Sequence, residues 1–217
     1  GQEWPRSSSL MSKVLIVANG EWPKQFDLAD YAEAYPVIVA LDGAANRLIG
    51  INMIPDVLLG DLDSVSESVL EQCKASDVAV EHTPDQQSSD ISKGLEWVQR
   101  TYPDSEVDII GVEIGRYDHH LAAYSALFEC NSDATILLDG WQARRVSQTP
   151  TNIETEPNSI ISLIPFGDVT GATIKGCQFS LDNETLTTGT RGISNIATGS
   201  SITVSVESGD LLLLIMR

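Results

Sequence analysis

The sequence predicts an N-terminal α/β domain built on a mainly parallel sheet, followed by a smaller all-β, sandwich-like C-terminal domain. Three observations carry this. Short, near-continuous apolar runs recur through the first part of the chain, as strands buried on both faces require. The stretches between them carry apolar residues at helical spacing. After about Gly140 the texture changes: Thr, Ser, Gly, Asn and β-branched residues dominate, and helical periodicity fades. The expected divisions are therefore 11–140 and 141–217. Residues 1–10 show no clear periodicity and are set aside as an expression remnant, a short native arm being the alternative.

In the first domain the strands fall at 14–18, 37–41, 57–59, 78–80, 107–110 and 134–138. The spacing predicts helices over 26–34, 44–49, 66–75, 89–101 and 121–130. In the fourth of these, Ile91, Leu95 and Val98 fall at i, i+4 and i+7 and place one apolar stripe against the sheet. The second domain reads as strands over 159–166, 172–175, 202–206 and 211–216, with turns at Phe166-Gly167-Asp168 and Asp182-Asn183. The last run, Leu211-Leu212-Leu213-Leu214-Ile215-Met216, is apolar on both faces. It belongs inside a sandwich or at a subunit interface.

Composition narrows the function classes. With 42% hydrophobic residues the chain can bury a sizeable core. A formal net charge of −18 repels nucleic acid and anionic membranes and favours cationic ligands or metal ions; a solvated acidic surface explains most of it. Cys73, Cys130 and Cys177 lie far apart with no C-x-x-C pair. That speaks against a disulfide framework or zinc knuckle and suits a reducing cytoplasm. No apolar run has the length of a membrane helix. His82, His119 and His120 form no H-E-x-x-H, and the Walker, G-x-G-x-x-G and G-x-S-x-G signatures are all missing.

In an open parallel sheet, ligands bind beyond the carboxyl ends of the strands. Four such loops bring carboxylates and cations to one rim. Asp42-Gly43-Ala44-Ala45-Asn46-Arg47 follows the second strand, and Gly60-Asp61-Leu62-Asp63-Ser64 the third. Asp85 through Ser89 and Asp90 to Lys93 follows the fourth, and Gly115-Arg116-Tyr117-Asp118-His119 the fifth. Asp61 and Asp63, at alternate positions of an extended segment, face one ion together, and hard oxygen ligands of this kind suit Mg²⁺; an ordinary Asp-rich turn is the competing reading. Asp90 and Lys93 share a helix face. Either they serve a metal and a phosphate, or Asp90 complements the helix dipole below a Ser88 or Ser89 cap. Asp42-Gly43-Ala44-Ala45 opening a helix offers backbone N–H groups to an anion. Arg116 and Asp118 reach phosphate and metal, or pair with each other.

These segments, in this order, resemble the thiamine pyrophosphokinase family. The specific elements are G-D-x-D-S at 60–64, then D-Q-x-x-S-D-x-x-K at 85–93, with L-D-G-A-A-N-R at 41–47 and G-R-Y-D-H at 115–119. Lys175-Gly176, Thr188-Gly189 and Gly192-Ile193-Ser194-Asn195 extend the likeness into the second domain. The resemblance implies an ATP:thiamine diphosphotransferase that gives thiamine diphosphate and AMP. It implies that Asp42, Asp61, Asp63 and Asp90 hold Mg²⁺ and the triphosphate, with Asp61, Asp63, Asp90 and Lys93 as the catalytic group. Asn46, Gln86, Lys93, Arg116 and Asp118 complete the ATP and phosphate site, and Ser194 and Asn195 lie near the thiamine pyrimidine. It further implies a homodimer whose β domain closes over the partner's α/β site. A pyrophosphokinase for another alcohol such as a hydroxymethylpterin, and a non-catalytic thiamine- or metal-binding protein, are the alternatives.

Overall fold

A computed structural model of the 217-residue chain describes residues 12–24, 27–28, 34–83, 88–113 and 116–217. The segment around residue 11, most of the helix expected over 26–34, and the site residues Gln86 and Gly115 lie outside the described residues.

The α/β part runs β1 (Lys13–Val17), β2 (Val37–Leu41), α1 (Ala44–Gly50), β3 (Val57–Gly60), α2 (Glu67–Ala75) and β4 (Ala79–His82). It continues with α3 (Asp90–Thr101), β5 (Glu106–Ile110), α4 (Tyr117–Glu129) and β6 (Thr135–Leu138). The strands lie side by side in the order β4-β3-β2-β1-β5-β6, all parallel. Alternation explains their unbroken apolar character. Leu15, Val17, Ile38, Ala40 and Leu58 face one core with Leu48 of α1 and Cys73 of α2. Val14, Ile16, Val39, Leu41 and Leu59 face the other with Leu95 and Val98 of α3 and Leu127 of α4. Ser66 caps α2 by accepting from the Val69 N–H at 3.4 Å, and Ser89 caps α3 by accepting from the Ser92 N–H at 3.1 Å. The fifth predicted helix begins earlier than its apolar pattern does, at Tyr117, because its first turn is polar.

The β-rich part adds β7 (Trp141–Arg145), β8 (Thr151–Glu154), β9 (Ile160–Lys175), β10 (Leu181–Leu186), β11 (Asn195–Ile196), β12 (Ser201–Ser205) and β13 (Ser208–Met216). Two expected turns are not turns. Phe166-Gly167-Asp168 lies inside the 16-residue β9, where Gly167 and Gly171 adopt positive φ and bend one strand instead of separating two. Asp182-Asn183 lies inside β10 as a bulge, with Asn183 at φ 54° and a register shift against β9. Strands β7, β8, β10 and β11 carry too many polar residues to announce themselves by apolar runs.

Pairing crosses the expected boundary without a break: β6 turns into antiparallel β7, then β13, then β9. This decides between the two fates of the closing apolar run. Leu212 packs, with Leu214 against it, in the α3/α4 core, while Leu211, Leu213 and Ile215 pack in the core of the β-rich part with Val169, Ile174 and Val204. The strand is apolar on both faces because it is wedged between two cores of its own chain.

Candidate active site

The rim formed by the carboxyl ends of β2, β3 and β4 gathers the acids. Asp42 follows β2 with φ 44°, a left-handed conformation that Asp tolerates better than most residues. Its N–H donates to the Leu59 carbonyl at 2.8 Å, tying the two loops together. Gly60 at φ 149° closes β3, and a Cβ there would stand 3.1 Å from the Cβ of Asp42. Only glycine permits both that backbone and that approach. The loop then passes through Leu62 at φ 66°, so that Asp61 and Asp63 project together; strain of this kind costs about 1–3 kcal/mol and concentrates at functional sites. Asp61 Oδ1 accepts from the Asp63 N–H at 3.2 Å, and Asp63 Oδ1 accepts from the Ser64 hydroxyl at 2.9 Å.

The outcome is a tight trio. One carboxylate oxygen from each of Asp42, Asp61 and Asp63 lies within 4.8 Å of the others. Asp42 is 6% exposed, and its Oδ1 is dry and without a hydrogen-bond partner. A buried carboxylate oxygen left unpaired beside two like charges is unfavourable unless a cation joins them. Three hard oxygen donors at this spacing fit Mg²⁺, which keeps its remaining sites for water and phosphate.

Helix α3 reaches this rim because Gly94 lets it lie close to β2; a Cβ on Gly94 would meet the Leu41 side chain at 3.0 Å. Asp90, one turn earlier, stands beside the trio but not within it. Its carboxyl is pushed above the ordinary carboxylate range, first by burial, against the Lys93 charge, with Asp42 and Asp61 adding to the rise. Lys93 Nζ lies 3.7 Å from Asp90 Oδ1 and donates to the Thr83 carbonyl at 3.2 Å. Its side chain is only 9% exposed, so the ammonium is held in place instead of trailing in solvent.

Other predicted residues take different places. Asn46, expected at phosphate, has both ends of its amide on the acid loop: it donates to the Ser64 carbonyl at 2.8 Å and accepts from the Ser66 N–H at 3.0 Å. That geometry makes it a brace for the loop. Arg116 and Asp118 pair with each other, Nε to Oδ1 at 3.1 Å and an NH2 group to Oδ2 at 2.6 Å, at the exposed start of α4. Hydrogen bonding to Arg116 holds the Asp118 carboxyl down at about 2. His120 hydrogen-bonds the Tyr124 hydroxyl at 2.8 Å, and burial pushes that phenol up to about 12. Ser194 and Asn195 are occupied within the β-rich part. The Ser194 N–H donates to the Ser162 hydroxyl at 3.1 Å, and the Asn195 amide accepts from the Phe179 N–H at 3.1 Å and donates to its carbonyl at 2.6 Å.

Two further rim residues stand out: Arg47, placed at the rim by the sequence but given no role, and Thr83, which sequence reasoning missed. Arg47 donates to the Gly20 carbonyl and lies 4.5 Å over the Trp22 ring, strapping the loop after β1 to α1. Thr83 follows β4, which extends past the apolar Val78-Ala79-Val80 through Glu81 and His82. The available signal was position, as the first residue beyond a parallel strand.

The family model "Thiamin pyrophosphokinase, catalytic domain" matches residues 28–138, and "Thiamin pyrophosphokinase, vitamin B1 binding domain" matches 150–211. The chain belongs to the thiamine pyrophosphokinase family. The thiamine pyrophosphokinase of Bacillus subtilis is 29% identical over 214 residues, covering 94% of this chain and 98% of that protein. A crystal structure of thiamine pyrophosphokinase from Bacillus subtilis superposes with a TM-score of 0.80 at 26% identity, over 95% of this chain and 99% of the other. Thiamin pyrophosphokinase from Candida albicans, at 15% identity, shares the fold with a TM-score of 0.77 over 95% and 90% of the two chains. The family's two-part layout, α/β then β-rich, is the one seen here.

Proposed function

We propose that this chain transfers a pyrophosphoryl group from ATP to the hydroxyethyl oxygen of thiamine, releasing AMP, with the aspartate rim as the site of transfer. The observation that carries it is the convergence of Asp42, Asp61 and Asp63 within 4.8 Å on loops from adjacent parallel strands of a family member. Asp42, Asp61 and Asp63 would hold Mg²⁺, with Asp90 at its edge. When bound there, the ion would supply positive charge to offset that of the triphosphate.

The rest falls to the chain's own groups. Thiamine's hydroxyl oxygen bonds to the β-phosphorus, the bond from that phosphorus to the oxygen of the α-phosphate breaks, and AMP departs with that oxygen. The hydroxyl proton passes to a rim carboxylate or to water. Lys93, pinned by Asp90 and the Thr83 carbonyl, sets a fixed positive charge beside the phosphates, so little reorganisation is needed as charge shifts. Asn46 keeps the acid loop in place. Arg116, which pairs with Asp118, turns its guanidinium to the nucleotide phosphates while Asp118 serves the metal side, and Gln86 completes that site. Thiamine's cationic ring suits a protein of net charge −18.

Ser194 and Asn195 contact thiamine from the β-rich part of a second copy, in a homodimer. The exposed Phe179 (72%) and Ile193 (50%) beside them supply apolar surface that such a contact would cover. No helix among the described residues is long and apolar enough to cross a membrane. The three free cysteines fit work in the cytoplasm.

The test is AMP release from ATP, with and without thiamine, by wild type and Asp63→Asn. Thiamine-dependent release that falls about a hundredfold or more in the variant is the expected result. Faster release with hydroxymethylpterin than with thiamine would move the acceptor, and thiamine binding without AMP would make the chain a binding protein.

A further inference from the structure

Among the described residues, the buried side-chain polar atoms without a hydrogen-bond partner are Trp22 Nε1, Asp42 Oδ1 and Thr83 Oγ1. Proteins pair nearly all such atoms, so those left over ask for an explanation. Here they share an address: Trp22, Asp42 and Thr83 follow β1, β2 and β4 respectively, at the carboxyl rim of one parallel sheet. Asp42 is accounted for by the acid trio. Thr83 is not, and its surroundings are informative. Its N–H donates to the Gly60 carbonyl at 2.8 Å, at the root of the acid loop. Its own carbonyl accepts from Lys93 Nζ at 3.2 Å, and that ammonium stands 3.7 Å from Asp90. The Thr83 backbone therefore ties the root of the acid loop to the lysine, and the same residue carries a dry, unpaired hydroxyl.

A valine would fill the same volume with no orphaned oxygen, so packing alone does not explain a threonine here. A hydroxyl donates one hydrogen bond and accepts others. On a residue whose backbone holds an ammonium, a neutral donor is suited to an anionic oxygen that the ammonium attracts. We infer that Thr83 is a ligand-contacting residue of the site, its hydroxyl donating to a phosphate oxygen of the nucleotide, with its carbonyl positioning Lys93. This rests on the pyrophosphokinase reading and extends it to a residue that no rim motif marks.

The experiment compares full-length wild type with Thr83→Val, Thr83→Ala and Thr83→Ser. It reads melting temperature alone and with Mg-ATP, then KM for ATP and kcat for AMP release. Thr83→Val is expected to melt at or above wild type without ligand, because a dry unpaired hydroxyl is gone. Its KM for ATP rises about tenfold and the Mg-ATP-induced rise in melting temperature shrinks, as loss of one hydrogen bond to a charged group requires. Thr83→Ser, which keeps the hydroxyl, stays close to wild type. Thr83→Ala repeats the loss of Thr83→Val and covers the case in which valine misfolds. Wild-type constants and an undiminished Mg-ATP shift in the valine or alanine variant would overturn the inference. A wild type stabilised by Mg-ATP that releases no AMP would instead refute the transfer reading, and the shrinkage of that shift would still decide Thr83.

Discussion

Replacing Asp42 by Asn separates stability from function in a way that only a metal-organising acid trio explains. Asp42 has a carboxylate oxygen within 4.8 Å of its partners on Asp61 and Asp63 and no hydrogen-bond donor on its buried Oδ1. At an effective dielectric constant of about 20, two unit charges 4.8 Å apart repel by about 3 kcal/mol. Asp61 is half-buried and water screens part of that, leaving about 1–2 kcal/mol to be relieved when one charge is removed. Asn also tolerates the φ of 44° and brings an N–H donor toward the remaining carboxylates. For a chain of this size the melting temperature in a chelator should therefore rise by about 3–6 °C. Wild type should gain stability on adding Mg²⁺, by linkage, whereas the variant should gain little, and its AMP release should fall about a hundredfold or more. Thermal melts with chelator and across a Mg²⁺ series read both effects. A variant that melts below wild type in chelator, or that keeps the full Mg²⁺-induced rise, refutes the argument that this carboxylate is held in wait for a cation.

Two other outcomes follow from the structure. Asp108, on β5 and hydrogen-bonded by the Tyr35 hydroxyl at 2.7 Å, has its carboxyl pushed up chiefly by burial. An acid raised in the folded state favours folding while neutral and loses that contribution as pH rises through its folded value, so Asp108→Asn should match wild type in acid and exceed its melting temperature at neutral pH. A pH series of melts showing the reverse order removes that account. If the site is shared between copies, co-expressing Asp63→Asn with Asn195→Ala chains should restore about a quarter of wild-type activity through heterodimers with one intact site. Activity no higher than that of either variant alone, from co-purified mixed dimers, would place both residues in one chain's site.

Much of the α/β half was legible because its strands are buried on both faces and so read as plain apolar runs. The acid loop and the Asp90–Lys93 helix start were legible because the carboxyl ends of parallel strands share one rim, so the residue after each strand is placed by topology alone. The β-rich half was harder. A long strand such as β9, bent by Gly167 and Gly171, looks like two strands and a turn, since glycine at positive φ serves bulges and turns alike. The same ambiguity hid β10 behind Asp182-Asn183.

By itself the sequence determined the fold class, the family and the set of acids, since periodicity and residue order are local properties of the chain. Tertiary structure decided what local order cannot hold. It separated the trio of Asp42, Asp61 and Asp63 from Asp90, bound the Asn46 amide to the acid loop, and wedged β13 between two cores. It also left the Thr83 hydroxyl dry. Each of these depends on which loops meet across neighbouring strands and which atoms lose water there, and desolvation exists only once distant segments have packed.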